Sequence, residues 1–389
     1  MNITGERYTI SYDPVDQQVN FEGVLRPVNP SDLERIKDYL IDLHDKLDGT
    51  MRLSFRKMRY INSAGLRAVV GFLKYARSSG KMTIKLVGSK VLTWEGKSLS
   101  SLASLWSGID FIVYDDKFYE SQGLIEDASF IPLLRNQTRL LWQQEKEILR
   151  KHGLREGMKV ADICCGCGDV ALLIAREMKP SIVVGLDHSA PAIEYAVGLQ
   201  REFKVKNADF KLGDATALMM DDELFDFVMC RLSIQIFSKP QEILKELYRI
   251  LKPGGRLYLT GEDYDLIVGY PNENEIRTVY NKAGKYGTDM GMDLYNGRKL
   301  YSTLTGMRMA GVKVDYISAD TVNSDRKVFA EMITSWRHFS AEKIGKTLKI
   351  PPMEHDNLLD GYDAHLKTIR NLLGYTTWTV VAASGEKQR

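Results

Sequence analysis

Val160-Ala161-Asp162-Ile163-Cys164-Cys165-Gly166-Cys167-Gly168-Asp169 is the stretch on which the reading of this chain turns. An apolar run ending at an acidic residue reads as a buried strand, and the tight turn after it opens a helix expected over residues 170–178. Gly166 and Gly168 permit backbone angles, and a close approach of a ligand, that a Cβ would block. The first N–H groups of the helix have no partner within it and point at whatever sits on the loop.

Working outward, the apolar runs Ile182–Asp187, Phe210–Gly213, Phe225–Cys230 and Leu257–Thr260 read as further strands. Asp187 ends the first of them, where a carboxylate can accept both hydroxyls of a ribose. Asp214 follows the next, within reach of an adenine amino group. Ile243, Leu244, Leu247, Ile250 and Leu251 fall at helical spacing, and Lys252-Pro253-Gly254-Gly255 turns that helix into the next strand. A helical stretch expected from about residue 125 runs through Leu141, Trp142, Ile148 and Leu149. Strands alternating with helices predict a parallel sheet covered on both faces. Val312–Ile317 and Thr376–Ala382 are expected as a final antiparallel pair. Between them, about residues 325–372 carry helical patterns through Phe329, Met332, Ile333 and Trp336, then Leu358, Leu359, Leu366 and Ile369. An insertion of that length reads as a lid.

This set resembles the Rossmann-like (class I) S-adenosylmethionine-dependent methyltransferases over about residues 140–320, and within them the ubiquinone- and menaquinone-biosynthesis branch. The resemblance implies that Asp162 and the loop through Cys164, Gly166 and Gly168 hold the methionine portion. It implies Asp187 at the ribose, His188 flanking the adenosine, and Asp214 with the Ala215 backbone at the adenine. Cys230 to Leu232, Arg231 included, would lie against the cofactor near its methyl group. Cys164 stands where the family's loop has its first glycine. The nucleic-acid amino-methyltransferases carry a Pro-Pro-aromatic loop after the fourth strand; Cys230-Arg231-Leu232-Ser233 implies a small-molecule acceptor instead. An NAD enzyme or a decayed fold is the competing reading.

Methyl transfer needs alignment above all, and an oxygen or nitrogen acceptor also needs a proton removed. Glu262, Asp263 and Tyr264 follow the fifth strand, and Asp263 with Tyr264 are the expected catalytic pair. Tyr295 and Arg298, from Asp289–Arg298, and Trp336 with His338, from the insertion, are the expected substrate contacts. Packing is the alternative for each.

The first part of the chain has a different grammar. Tyr8–Tyr12 and Val19–Leu25 alternate as strands do. Ser31 with Glu34 forms a capping-box pattern before Leu33, Ile36, Leu40, Leu43 and Leu47. Met51–Ile61, a helix through Leu66, Val69, Val70, Leu73 and Ala76 ended by Gly80, Met82–Val87, a short helix over Leu99–Trp106, and Phe111–Tyr114 follow. Tyr60-Ile61-Asn62-Ser63-Ala64-Gly65-Leu66 is similar to the Asp-Ser-x-Gly signature of STAS domains, the fold of anti-sigma-factor antagonists, with Asn62 in the place of the aspartate. The resemblance implies a smaller STAS-like α/β domain at 1–120, a protein partner, and Ser63 as a phosphorylated switch. Ser63 as a plain helix cap is the alternative. The methyltransferase domain would occupy 121–389.

Composition sets the bounds. At roughly 150 residues per domain, 389 residues give two to three domains, and 44% hydrophobic with 27% charged residues is ordinary for a globular chain. A net charge of +2 argues against a dedicated nucleic-acid binder. The start of the chain lacks the apolar segment of a secretory signal, and no apolar run is long enough to span a membrane. Of the four cysteines, Cys164, Cys165 and Cys167 crowd one turn and Cys230 lies far along the chain. No disulfide framework follows from that spacing, so the setting is expected to be cytoplasmic. A structural zinc takes four ligands, normally in two pairs; the turn reads instead as small packing residues, with no metal. The rival to an enzyme is a regulatory protein whose STAS-like part binds partners while the cofactor fold acts as a sensor.

Overall fold

The alternating runs of the first part and the continuous apolar runs of the second build two separate sheets. A computed structural model of the chain describes residues 2–27, 29–90, 95–114 and 128–388. The expected domain boundary near 120 and the expected helix start near 125 lie outside the described residues. The chain divides into two compact units, Met1–Phe118 with Thr216–Met219, and Tyr119–Ala215 with Met220–Arg389.

The first unit is a six-stranded mixed sheet in sequence order: β1 (Ile3–Thr4), β2 (Tyr8–Asp13), β3 (Gln18–Leu25), β4 (Gly49–Ile61), β5 (Met82–Ser89) and β6 (Ile109–Tyr114). β1, β2 and β3 pair antiparallel, and β3 to β6 are parallel. The parallel steps need crossovers, and α1 (Pro30–Lys46), α2 (Ser63–Ser79) and α3 (Glu95–Ala103) supply them. Phe21 and Phe55 stack at 4.6 Å in the core, among fully buried Leu25, Ile36, Leu53 and Phe72. Two local expectations are corrected. α1 starts at Pro30, with Asn29 as an N-cap that makes no side-chain bond, so the Ser31–Glu34 capping box does not form; proline lacks the N–H that needs capping and presets the helical φ. The cap of α2 is Asn62, not Ser63: Asn62 Oδ1 accepts the Gly65 N–H at 2.8 Å, and Ser63 is the exposed first residue of the helix. Gly80 ends α2 in the left-handed conformation, φ 60°, as a C-terminal glycine does.

The second unit holds α4 (Ile131–Lys151), β7 (Lys159–Ile163), α5 (Asp169–Glu177), β8 (Ile182–Asp187), α6 (Ala190–Glu202) and β9 (Ala208–Leu212). It continues with β10 (Phe225–Arg231), α7 (Pro240–Ile250), β11 (Leu251–Glu262), β12 (Val268–Tyr270), α8 (Glu273–Asp289) and α9 (Leu300–Gly306). β13 (Ala310–Asp320), α10 (Arg326–Arg337), α11 (Pro352–Arg370) and β14 (Tyr375–Glu386) complete it. The strand order is β9-β8-β7-β10-β11-β14-β13, with short β12 beside the start of β14. β9 through β11 are parallel, and β14 runs antiparallel between β11 and β13. This is the expected Rossmann-like sheet of seven ordered strands; β12, α8 and α9 fill the part that periodicity left unassigned. The insertion between β13 and β14 holds α10 and α11, joined by a π-helical stretch, His338–Gly345, and a short helical turn, Lys346–Leu348.

Val160, Ile163, Val183, Phe227, Val228, Leu257 and Leu259 are all buried, as both-face covering of a parallel sheet demands. Strand order reverses between β7 and β10. In open α/β sheets a ligand binds at such a point, outside the carboxyl ends of the strands. Those ends carry Asp162, Asp187, Arg231 and Glu262.

Candidate active site

β7 ends at Ile163, and the chain then turns through Cys164 (φ 61°), Gly166 (φ 55°) and Gly168 (φ 76°). A Cβ on Gly168 would stand 2.7 Å from the Ala196 Cβ and from Phe210, so helix, loop and neighbouring strand close together only with glycine there. Cys164 holds a left-handed angle that costs a non-glycine residue roughly 1–2 kcal/mol, the physical content of its departure from glycine. The Gly166 N–H donates to Asp187 Oδ2 at 2.8 Å and the Ser189 N–H to Asp187 Oδ1 at 2.9 Å. The loop and the end of β8 are therefore one construction, with the carboxylate as its pin. Each oxygen keeps a lone pair for a further donor.

Asp162 pairs across the sheet with Met229 and Gly185 and is 2% exposed. Among the described residues its Oδ1 has no hydrogen-bond partner. Burial pushes its carboxyl up to about 7, against the pull of nearby Arg231. Arg231, at the end of β10, forms a fork with Glu145 of α4: Nε to Oε1 at 2.6 Å and Nη2 to Oε2 at 2.5 Å. Glu145 is fully buried and also accepts from the Tyr258 hydroxyl at 3.3 Å. Burial works against the guanidinium charge, and Glu145 more than reverses it, leaving Arg231 above its ordinary value. The arginine expected against the cofactor thus has its fork committed to Glu145, and what it offers the site is a fixed positive charge beside Asp162. Glu145 sits mid-helix on a buried face; an acidic residue at an otherwise core position was the one signal for it.

His188 is half-buried directly after Asp187, and half-buried Asp214 with buried Ala215 follows β9. The loop thiols are held protonated: the Cys230 thiol and burial raise Cys164, burial and then Asp187 raise Cys165, and burial and then Asp169 raise Cys167. Metal ligation uses the thiolate, and among the described residues no group of three or more metal-ligating side chains gathers.

On the other side of the switch point, Asp263 is bound by the Arg298 fork, Nε to Oδ2 at 2.6 Å and Nη2 to Oδ1 at 2.5 Å, and caps the turn at Asp265 N. Both of its oxygens are thereby committed. Tyr264 is buried, and burial followed by Glu262 pushes its phenol well up, so it stays protonated at neutral pH. Its ring lies 6.5 Å from Tyr295 and 5.8 Å from Trp336, and Arg298 covers the Tyr295 ring at 5.3 Å. Tyr295, Arg298 and Trp336 are thereby brought to Asp263 and Tyr264. His338 is exposed, and among the described residues no hydrogen bond, ion pair or ring contact joins it to that group. Glu262 is the outstanding carboxyl here: 4% exposed, with Oε2 accepting from Gln235 Nε2 at 2.9 Å while Gln235 Oε1 receives the Glu262 N–H at 3.0 Å. Burial pushes it up to about 8.

A family profile described as a methyltransferase domain matches residues 154–306, the span that holds the β7 loop, Asp187, Asp214 and Glu262. Those residues form an S-adenosylmethionine-dependent methyltransferase domain. The chain is 32% identical over 142 residues to a demethylmenaquinone methyltransferase of Listeria welshimeri, covering 36% of this chain and 58% of the relative. It is 33% identical over 111 residues to the Staphylococcus aureus enzyme of that name, covering 28% and 45%. The chain thus spans about half the length of these curated relatives. A solved phosphoethanolamine N-methyltransferase 2 of Haemonchus contortus overlaps 91% of this chain and 99% of its own at 16% identity, with a TM-score of 0.46. No helix among the described residues is long and apolar enough to cross a membrane.

S-adenosylmethionine fits the donors and acceptors at the switch point. Its amino group and ribose hydroxyls are donors. The place offers an orphaned buried oxygen on Asp162 and spare lone pairs on a pinned Asp187.

Proposed function

We propose that the full chain is an enzyme that moves a methyl group from S-adenosylmethionine to a small-molecule acceptor, with Asp162, Cys164, Gly166, Gly168, Asp187, His188, Asp214 and Ala215 holding the cofactor. The observation that carries the reading is the Asp187 carboxylate, pinned by the loop N–H of Gly166 beside the orphaned oxygen of Asp162. Bound there, the cofactor would supply a methyl group on a positively charged sulfur, open to attack by a lone pair of the acceptor. Little is left for the protein beyond alignment, exclusion of water and removal of a proton. Arg231 and Glu145 fix the charge around Asp162, and α10 and α11 cover the acceptor side. Incubating the full chain with methyl-labelled cofactor and a metabolite extract tests this: label in a small molecule is expected. Label confined to protein or RNA would contradict it, and tight cofactor binding without any turnover would favour the regulatory reading.

We further propose that 1–120 and 121–389 are the two domains and that the first is a STAS-like protein-binding module in a cytoplasmic protein. The strand and helix order of residues 5–115 supports it, and the exposure of Ser63 at the start of α2 leaves that hydroxyl open to a kinase.

A further inference from the structure

The turn from α11 into β14 reads Asn371-Leu372-Leu373-Gly374. Central turn positions ordinarily take Gly, Pro, Asn, Asp or Ser; here they hold two leucines that are 85% and 90% exposed. The turn is tightly bonded. The Asn371 carbonyl accepts the Gly374 N–H at 2.8 Å, and the Asn371 side-chain oxygen accepts the Leu373 N–H at 3.0 Å. From α10, the Arg326 guanidinium donates to the carbonyls of Ile369 at 2.7 Å, Asn371 at 2.8 Å and Gly374 at 3.0 Å. The Thr321 hydroxyl donates to the Gly374 carbonyl at 3.2 Å. These bonds hold two apolar side chains out in water.

Other apolar groups adjoin them. Val322 is 82% exposed and follows Thr321, whose N–H donates to the Thr376 carbonyl at 3.1 Å. Tyr375, next after the turn, pairs in register with Tyr270 of β12, and both rings are exposed. Exposed cations stand alongside: Lys367 and Arg370 in the last turn of α11, and Lys327 beside Arg326 at the start of α10. Among the described residues none of these three forms an ion pair. The neighbouring carboxylates are engaged: Asp320 accepts the Val322 and Asn323 N–H groups at 2.7 Å, Asp325 accepts the Lys327 N–H at 2.8 Å, and Glu331 lies 3.9 Å from Arg139. A groove of about 800 Å³ opens beside the turn, with Leu372, Arg370 and Lys327 in its walls.

Each of these groups has a place at the boundary of a bilayer. Apolar tips enter the acyl region, tyrosine rings with one apolar and one polar end sit at headgroup level, and Lys and Arg stems lie along apolar surface while their charges meet anionic headgroups. A protein interface has a different make-up, its core packed to interior density and depleted of charge. Here the leucines stand on a projecting turn with free cations around them.

We propose that this end of the second unit docks on an anionic lipid bilayer. Leu372, Leu373 and Val322 enter the headgroup–acyl boundary, Lys327, Lys367 and Arg370 meet the lipid phosphates, and the groove gives a headgroup room beside Leu372. The chain lies on the surface rather than spanning it, in keeping with the lack of a spanning helix among the described residues. The proposal is independent of the methyltransferase reading.

The test is flotation of the full chain with vesicles of equal parts phosphatidylglycerol and phosphatidylcholine, and with vesicles of phosphatidylcholine alone. Partitioning to the anionic vesicles should be at least tenfold stronger. Raising the salt from about 0.1 M to about 1 M shortens the screening length from about 10 Å to about 3 Å and should remove most of that difference. A Leu372→Ser/Leu373→Ser variant should lose at least tenfold in partitioning with its melting temperature unchanged, since both side chains already stand in water. A Lys367→Gln/Arg370→Gln variant should weaken binding to the anionic vesicles and flatten its salt dependence. Leu372→Trp should bind more tightly, and lipids brominated in the acyl chain should quench its emission beyond that of the unaltered chain. Absence of partitioning to either vesicle, equal partitioning to both, or a serine variant that binds as the unaltered chain does would overturn the proposal. Self-association that the serine substitutions abolish, without flotation, would assign the surface to a second copy and overturn it as well.

Discussion

Either side of the β7–β10 switch point, polar groups are held by different means. Toward β8, the carboxylate is set by backbone: the Gly166 and Ser189 N–H groups fix Asp187, beside a loop with left-handed turns. Toward β11, they are set by tertiary packing: Glu262 is oriented by one side chain, Gln235, and Tyr264, two residues on, packs against rings from α8 and α10. A backbone-built half is the same whatever occupies the lid. A packing-built half takes its chemistry from which side chains the insertion brings down, so under the proposed function acceptor choice would be open to change without disturbing the backbone-built half.

The largest expected effect sits between the two halves. Glu145→Leu leaves the Arg231 guanidinium buried without its fork, and breaking a buried pair on one side costs about 3–5 kcal/mol. Urea unfolding should show a loss of that order. A change below about 1 kcal/mol, the range of exposed pairs, would mean that Arg231 finds water and that the two halves are not joined by a buried charge network.

A second test separates the packing-built half by its titration. Glu262 goes from the ordinary carboxyl range when unfolded to about 8 when folded, so between those values the folded state holds the extra proton. Stability is then full at low pH and falls as pH rises through that window. Asp162, raised to about 7, acts in the same direction. Glu262→Gln should flatten the decline of melting temperature between pH 5 and 8, with its gain greatest at pH 8. A variant whose pH profile runs parallel to that of the unaltered chain would show that Glu262 reaches solvent.

The smallest effect lies outside both halves. Asn62→Ala removes the cap on α2 and should cost about 1 kcal/mol while leaving S-adenosylhomocysteine affinity as it was. An affinity change of tenfold or more would show that the first unit takes part in the site.

The contrast also explains how much could be read from the chain alone. Strands β7, β8, β10 and β11 announce themselves because a buried parallel strand is a continuous apolar run, and the Cys164–Gly168 turn because left-handed backbone demands glycine at two of its positions. Asp162 and Asp187 were legible for the same reason: they end such runs. Glu145 was not, since a helix periodicity marks its face without saying what strand end it meets. Asp263 and Glu262 stand side by side in sequence, and only the partners differ: Arg298 reaches the first from a loop after α8, and Gln235, from the turn after β10, meets the second. The Ser31–Glu34 pattern misled because Pro30, one residue earlier, starts the helix without needing a cap.

The central claim, that the ends of β7 and β8 hold S-adenosylmethionine, is most directly tested by calorimetry of S-adenosylhomocysteine on the full chain and on Asp187→Ala. Two hydrogen bonds to a charged acceptor, each worth roughly 1.5–3 kcal/mol, are lost, so affinity should fall at least tenfold while the far-ultraviolet circular dichroism stays unchanged. Unchanged affinity in the folded variant would contradict the account.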